Sequence, residues 1–109
     1  MKKVKLGSTA LEVTPICFGC WQMGQSQWGK VPEQALIEAV RAGLDAGINF
    51  FDTADVYGDG LAEETLGRAL RGAPRSEVVI STKVYHHFYP DGRRHPDLSG
   101  RYVIEACEA

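Results

Sequence analysis

Three residues, Asp52, Tyr57 and Lys83, have the types and the surroundings to do chemistry together. Asp52 closes the apolar run Ile48-Asn49-Phe50-Phe51, and Tyr57 stands in the small-residue turn Thr53-Ala54-Asp55-Val56-Tyr57-Gly58. Lys83 ends a second β-rich run, Val78-Val79-Ile80-Ser81-Thr82. If the two runs are neighbouring strands, both deliver an ionisable group at the same end, where ligand sites of α/β proteins lie. A phenol has a pKa of about 10 and is a poor acid at neutral pH. A lysine ammonium within about 4–6 Å favours the phenolate, and an aspartate beside it keeps the ammonium charged and aimed. Such a trio is a tuned proton donor for reactions that build negative charge on a substrate oxygen. Carbonyl reduction is one of them, provided hydride comes from elsewhere. Each residue also has a bland explanation: Asp52 as a turn cap, Tyr57 as packing on the next helix, Lys83 as a solvated strand end. Three compatible groups on one edge of consecutive strands are harder to dismiss.

The elements that must position them read in order along the chain. Lys3 to Val13 holds two short extended pieces around Gly7-Ser8-Thr9-Ala10, a hairpin signal. Ile16 to Gly19 is a first buried strand, and Cys20 to Lys30, with both tryptophans, is a loop by composition. Pro32 to Ala46 is the clearest helix, with proline and Glu33 in its first turn. Its apolar stripe is Leu36, Val40 and Leu44, and Gly47 is its left-handed stop. A strand follows over Ile48 to Phe51, then a helix from about Ala62 to Leu70 that ends at Gly72. Gly67 inside that helix costs about 1 kcal/mol relative to alanine, which a close helix–strand approach would explain. Glu77 to Thr82 is a third strand. Tyr85 to Gly100, with Pro90-Asp91-Gly92 in it, reads as a long polar loop, and Ser99 as the cap of a last helix.

The order hairpin, β, α, β, α, β, α predicts an α/β fold of parallel strands joined by right-handed crossovers. Three strands cannot close a barrel and leave two open edges. Together with a helical pattern still running at the last residue, this suggests a piece of a longer protein, with edges that leave room for an oligomer.

Composition narrows the classes. The 109 residues are 44% hydrophobic and 24% charged with a net charge of −2, which fits a globular domain. No run of one sign points to nucleic acid or to an anionic membrane. No apolar run approaches a membrane span and no secretory signal is visible, so a cytoplasmic location is the expectation. Of the three cysteines, Cys17 and Cys20 form a Cys-x-x-Cys, but Trp21-Gln22-Met23-Gly24 is a poor helix start for a redox pair. Zinc would need two further ligands from His86, His87 and His95. Ordinary packing at a strand end is the better reading of these thiols, and no metal is expected.

At these residues the chain resembles the aldo-keto reductases. The resemblance rests on Gly47-Ile48-Asn49-Phe50-Phe51-Asp52-Thr53-Ala54 with Tyr57-Gly58, on Glu63-Glu64-Thr65-Leu66-Gly67 and on Ser81-Thr82-Lys83. Leu6-Gly7 through Val13 and Phe18-Gly19-Cys20-Trp21 fit as well, so it covers essentially the whole chain, and the wording is closest to the bacterial branch similar to potassium-channel β subunits. The resemblance implies that residues 1–109 are the amino-terminal part of an eight-stranded (β/α) TIM barrel, with about three β/α units, cut in the third helix. It implies NADPH as hydride donor, a small aldehyde or ketone as substrate, and a catalytic tetrad whose aspartate, tyrosine and lysine fall on Asp52, Tyr57 and Lys83. In that family the tyrosine is the general acid, the lysine lowers its pKa and the aspartate holds the lysine. The tetrad histidine follows a fourth strand, and His86 and His87 come too soon after Lys83 to serve. Cys20, Trp21 and Asp52 are the cofactor contacts carried over, and Trp21, Trp28 and His86 the nominated substrate-pocket walls. By the same token these residues alone are expected to be inactive. A β-subunit-like role, binding nucleotide within an assembly with little turnover, is the alternative.

Overall fold

The central strand is β4 (Phe50–Asp52), and the register of its neighbours decides which side chains meet water. The structure, a computed structural model, describes residues 1–88 and 91–109; Tyr89 and Pro90 of the expected long loop lie outside the described residues. β4 is flanked by β3 (Phe18–Gly19) and β5 (Val79–Ser81), both parallel to it. Phe51 stands opposite Phe18 and Ile80, and Asp52 opposite Gly19 and Ser81. Alternation along a strand then sends Phe51 to one face and Asp52 to the other. The Phe51 face is covered by α1 (Glu33–Asp45) and α2 (Leu61–Ala69) and is dry, with Phe51, Val40 and Ala62 fully buried beside Cys20, Leu66 and Val78. The opposite face carries Cys17 and Asp52.

α1 begins after Pro32, which supplies the fixed φ that a first turn tolerates, and it ends where Gly47 turns left-handed at φ 87°. A second glycine explains how closely this helix lies on the sheet. A methyl group at Gly43 would come 3.1 Å from the Phe18 ring. The close approach that the sequence assigns to Gly67 is therefore corrected: nothing lies within 4 Å of where its Cβ would be. Gly67 is exposed on α2, and among the described residues its lack of a side chain serves no close contact.

The amino-terminal hairpin forms as expected, β1 (Val4–Lys5) pairing antiparallel with β2 (Glu12–Val13). Its anchor is Asn49, buried just before β4. The amide oxygen accepts from the Thr14 N–H at 2.8 Å and the amide nitrogen donates to the Glu12 carbonyl at 2.9 Å. The hairpin is thereby tied to the end of the sheet opposite Asp52.

The expected loop from Tyr85 to Gly100 is corrected in part. It contains a ladder of β6 (His86–Phe88) with β7 (Arg94–Pro96), antiparallel, followed by α3 (Gly100–Glu108). Ser99 caps α3 by accepting from the Tyr102 N–H, and the buried Tyr102 donates its hydroxyl to the His86 carbonyl at 2.6 Å, pinning β6 to the helix. Among the described residues no helix is long and apolar enough to cross a membrane.

Candidate active site

The chain leaving β4 and the chain leaving β5 run on together past their ladders. The Thr53 N–H donates to the Ser81 carbonyl at 2.8 Å, which keeps Lys83 beside the turn that carries Tyr57. Lys83 points back across that turn. Its Nζ donates to Asp52 Oδ1 at 2.7 Å, to the Thr53 carbonyl at 2.8 Å and to the Tyr57 hydroxyl at 3.1 Å. An ammonium has three protons, and here all three are used. Partial burial works against the charge, but the hydrogen bonds to Asp52 and Tyr57 and the Asp52 carboxylate outweigh it, raising the Lys83 pKa above its ordinary value. The amine therefore stays charged throughout the neutral range. Because Tyr57 accepts from Lys83, its own proton is left to donate elsewhere.

Trp21 opens the 3₁₀ turn Trp21–Gly24 that follows β3. Its ring centroid lies 6.3 Å from that of Tyr57, and Trp28 packs against it edge-on at 5.6 Å. A cavity of about 500 Å³ opens beside these rings, lined by Trp21, Ser26, Gln27, Tyr57, Asp59 and Arg94 among others. Arg94 reaches it from β7 and is paired with Asp59 at 2.6 Å.

Of the residues nominated from sequence, the structure brings together Asp52, Tyr57, Lys83 and Trp21. Trp28 backs Trp21 but does not itself line the cavity. Two nominations are corrected. His86 is not among the residues that line it: its ring packs edge-on against Tyr85 at 4.7 Å, and its carbonyl accepts from the Tyr102 hydroxyl. Cys20 is wholly buried beneath the sheet's helix-covered face, so no surface of it is open to a cofactor. Arg94 escaped the sequence reading because nothing in a polar loop marks which side chain will fold back on a distant turn. The cysteines are free thiols, and among the described residues no cluster could hold a metal ion.

Burial pushes the Cys20 thiol from 9.0 up to about 12, with Cys17 and Asp52 adding to the effect. A thiol whose folded pKa exceeds its unfolded one contributes stability that is complete below the unfolded value and is lost as pH climbs to the folded one. Unfolding midpoints are thus expected to fall between pH 9 and about 12, and Cys20→Ala should flatten that decline. An unchanged alkaline slope in the variant would show that other groups cause it.

Residues 15–109 match the family model of the aldo/keto reductase family. The chain belongs to the aldo/keto reductase family. A probable voltage-gated potassium channel subunit beta of Oryza sativa subsp. japonica is 38% identical over 107 residues, 96% of this chain and 31% of that protein. Among solved structures, the holo form of aldo-keto reductase AKR11C1 from Bacillus halodurans is 34% identical, with a TM-score of 0.83 over 99% of this chain and 34% of that one. An aldo-keto reductase of Klebsiella pneumoniae solved with NADPH is 43% identical, with a TM-score of 0.63 over 77% of this chain and 28% of that one. This aldo/keto reductase chain spans about a third of the length of the relatives it matches. Its three parallel strands and their helices form a sector of the family's (β/α) barrel.

Proposed function

We propose that this sequence forms the amino-terminal sector of an NADPH-dependent reductase that converts an aldehyde or ketone to its alcohol. The observation that carries the reading is the Lys83 ammonium bridging the Asp52 carboxylate and the Tyr57 hydroxyl. A carbonyl oxygen placed in the cavity at hydrogen-bond reach of Tyr57 would receive the phenol's proton. The charge left on the phenol oxygen then sits against a cation that is already in place and needs no rearrangement. Asp52 keeps that cation aimed, and the Thr53 carbonyl stops it from swinging toward solvent.

The residues present suit the nicotinamide end of the cofactor. The Trp21 ring is 46% exposed beside Tyr57, a flat apolar surface next to a carboxylate and a proton donor. Trp21 and Asp52 would hold the ring there. Bound NADPH supplies the hydride, and the protein supplies position and charge.

The test is turnover by the full-length protein. NADPH should be consumed in step with formation of the alcohol from simple aldehydes. The isolated 109 residues, with both sheet edges open, are expected to show none.

The name of the rice relative favours a second reading, a nucleotide-binding subunit of a larger assembly with little turnover. Full-length protein that binds NADPH tightly yet leaves every aldehyde unreduced would select it over the enzyme.

A further inference from the structure

We propose that Gly24 and Gly58 are positioning residues for the proton donor, because contact between their backbones sets where the Tyr57 phenol stands relative to the Lys83 amine. The proposal rests on the reading of Tyr57 as donor.

Gly24 ends the 3₁₀ turn that begins with Trp21, and Gly58 follows Tyr57. The two turns touch backbone to backbone. A Cβ on Gly24 would lie 2.6 Å from the Tyr57 carbonyl carbon and 2.7 Å from the Gly58 nitrogen. A Cβ on Gly58, which is left-handed at φ 67°, would lie 2.5 Å from the Gly24 carbonyl oxygen. These obstacles are backbone, so no flexible side chain can move aside. Uncommon left-handed conformations also gather here, at Gln25 (φ 60°) beside Gly24 and at Asp59 (φ 54°) beside Gly58. Such conformations persist only where surrounding structure imposes them.

What the contact holds is narrow. The Tyr57 N–H donates to the Ala54 carbonyl at 3.1 Å and the Tyr57 carbonyl accepts from the Ala62 N–H at 3.1 Å, so the residue is held between its turn and the first turn of α2. The hydroxyl meets Lys83 at 3.1 Å, near the upper limit of a sound hydrogen bond. Relieving a clash at the Tyr57–Gly58 peptide moves that peptide, and with it the phenol. Gly67 is the natural control, with nothing within 4 Å of its would-be Cβ.

The experiment uses the full-length protein. Gly24→Ala should lower kcat for a simple aldehyde by about 10²-fold, the scale of a 1 Å misplacement. NADPH binding and a cooperative melt should survive, and Gly67→Ala should leave kcat alone. In a Lys83→Met background, where the perturbed contact is already gone, Gly24→Ala should add little further loss. Equal losses in both backgrounds, or no loss in either, would overturn the proposal. If Gly24→Ala does not fold, Gly58→Asn, which tolerates the left-handed conformation, takes its place; failure of both to fold assigns the contact to stability alone and also overturns it. Tyr57→Phe, run alongside, separates the two claims. Activity unchanged in that variant sinks the donor reading, whereas strict dependence on Tyr57 with additive Gly24→Ala sinks only the positioning.

Discussion

Replacing Tyr57 with phenylalanine should cost the full-length protein about 10²–10⁴-fold in kcat, the range a positioned general acid contributes. The ring remains, and with it the contact in which the Lys83 amine lies 4.9 Å from the ring centroid. Trp21 keeps its neighbour and the cavity keeps its wall. Only the transferable proton and one acceptor of the ammonium are lost. Binding of NADPH and of substrate should therefore change little, so the loss falls on kcat and not on KM. Steady-state kinetics with direct titration of cofactor would check this. A variant that reduces aldehydes at the parent rate would show that water or another side chain supplies the proton.

Phe51→Ala should produce the largest loss of stability, about 3–5 kcal/mol against a total that for domains is commonly about 5–15 kcal/mol. The side chain is fully buried, its ring centroid 5.8 Å from that of Phe18, in the layer between β4 and the two helices. Removing it empties a space that α1 cannot fill by settling, because Gly43 already rests on Phe18. The effect on activity should follow the effect on folding, since Asp52 is the next residue. Urea denaturation of the full-length protein would measure the loss, and Phe51→Leu should recover most of it. Equal stability in the alanine variant would mean that the core repacks freely.

How much of this was legible in the sequence depended on whether the signal was local. The first helix reads to within a residue because Pro32 and Gly47 act through their own backbone preferences. The strands read too long for definite reasons. Thr14 turns its hydroxyl onto the Ile16 carbonyl at 2.7 Å, so β3 begins only at Phe18. Asn49 gives its backbone N–H to the Thr14 hydroxyl at 3.4 Å, and β4 begins at Phe50. β6 and β7 could not be read, since His, Arg and Pro give no alternating apolar pattern. The gathering of Asp52, Tyr57 and Lys83 was legible because each ends or follows a readable strand. The Gly24–Gly58 contact was not, since two glycines at that separation carry no mark of touching.

The saturation of Lys83 has a consequence for an amine that, in the proposed reductase, would stand beside reactive carbonyl compounds. Imine formation needs a nitrogen lone pair, and a lysine in such a place would ordinarily be at risk of Schiff-base adducts. Here the nitrogen is held as an ammonium by a raised pKa, and all of its protons are committed to oxygen acceptors. In the proposed reductase, the same arrangement that supports the phenol would thus shield the side chain from being consumed by aldehyde substrates.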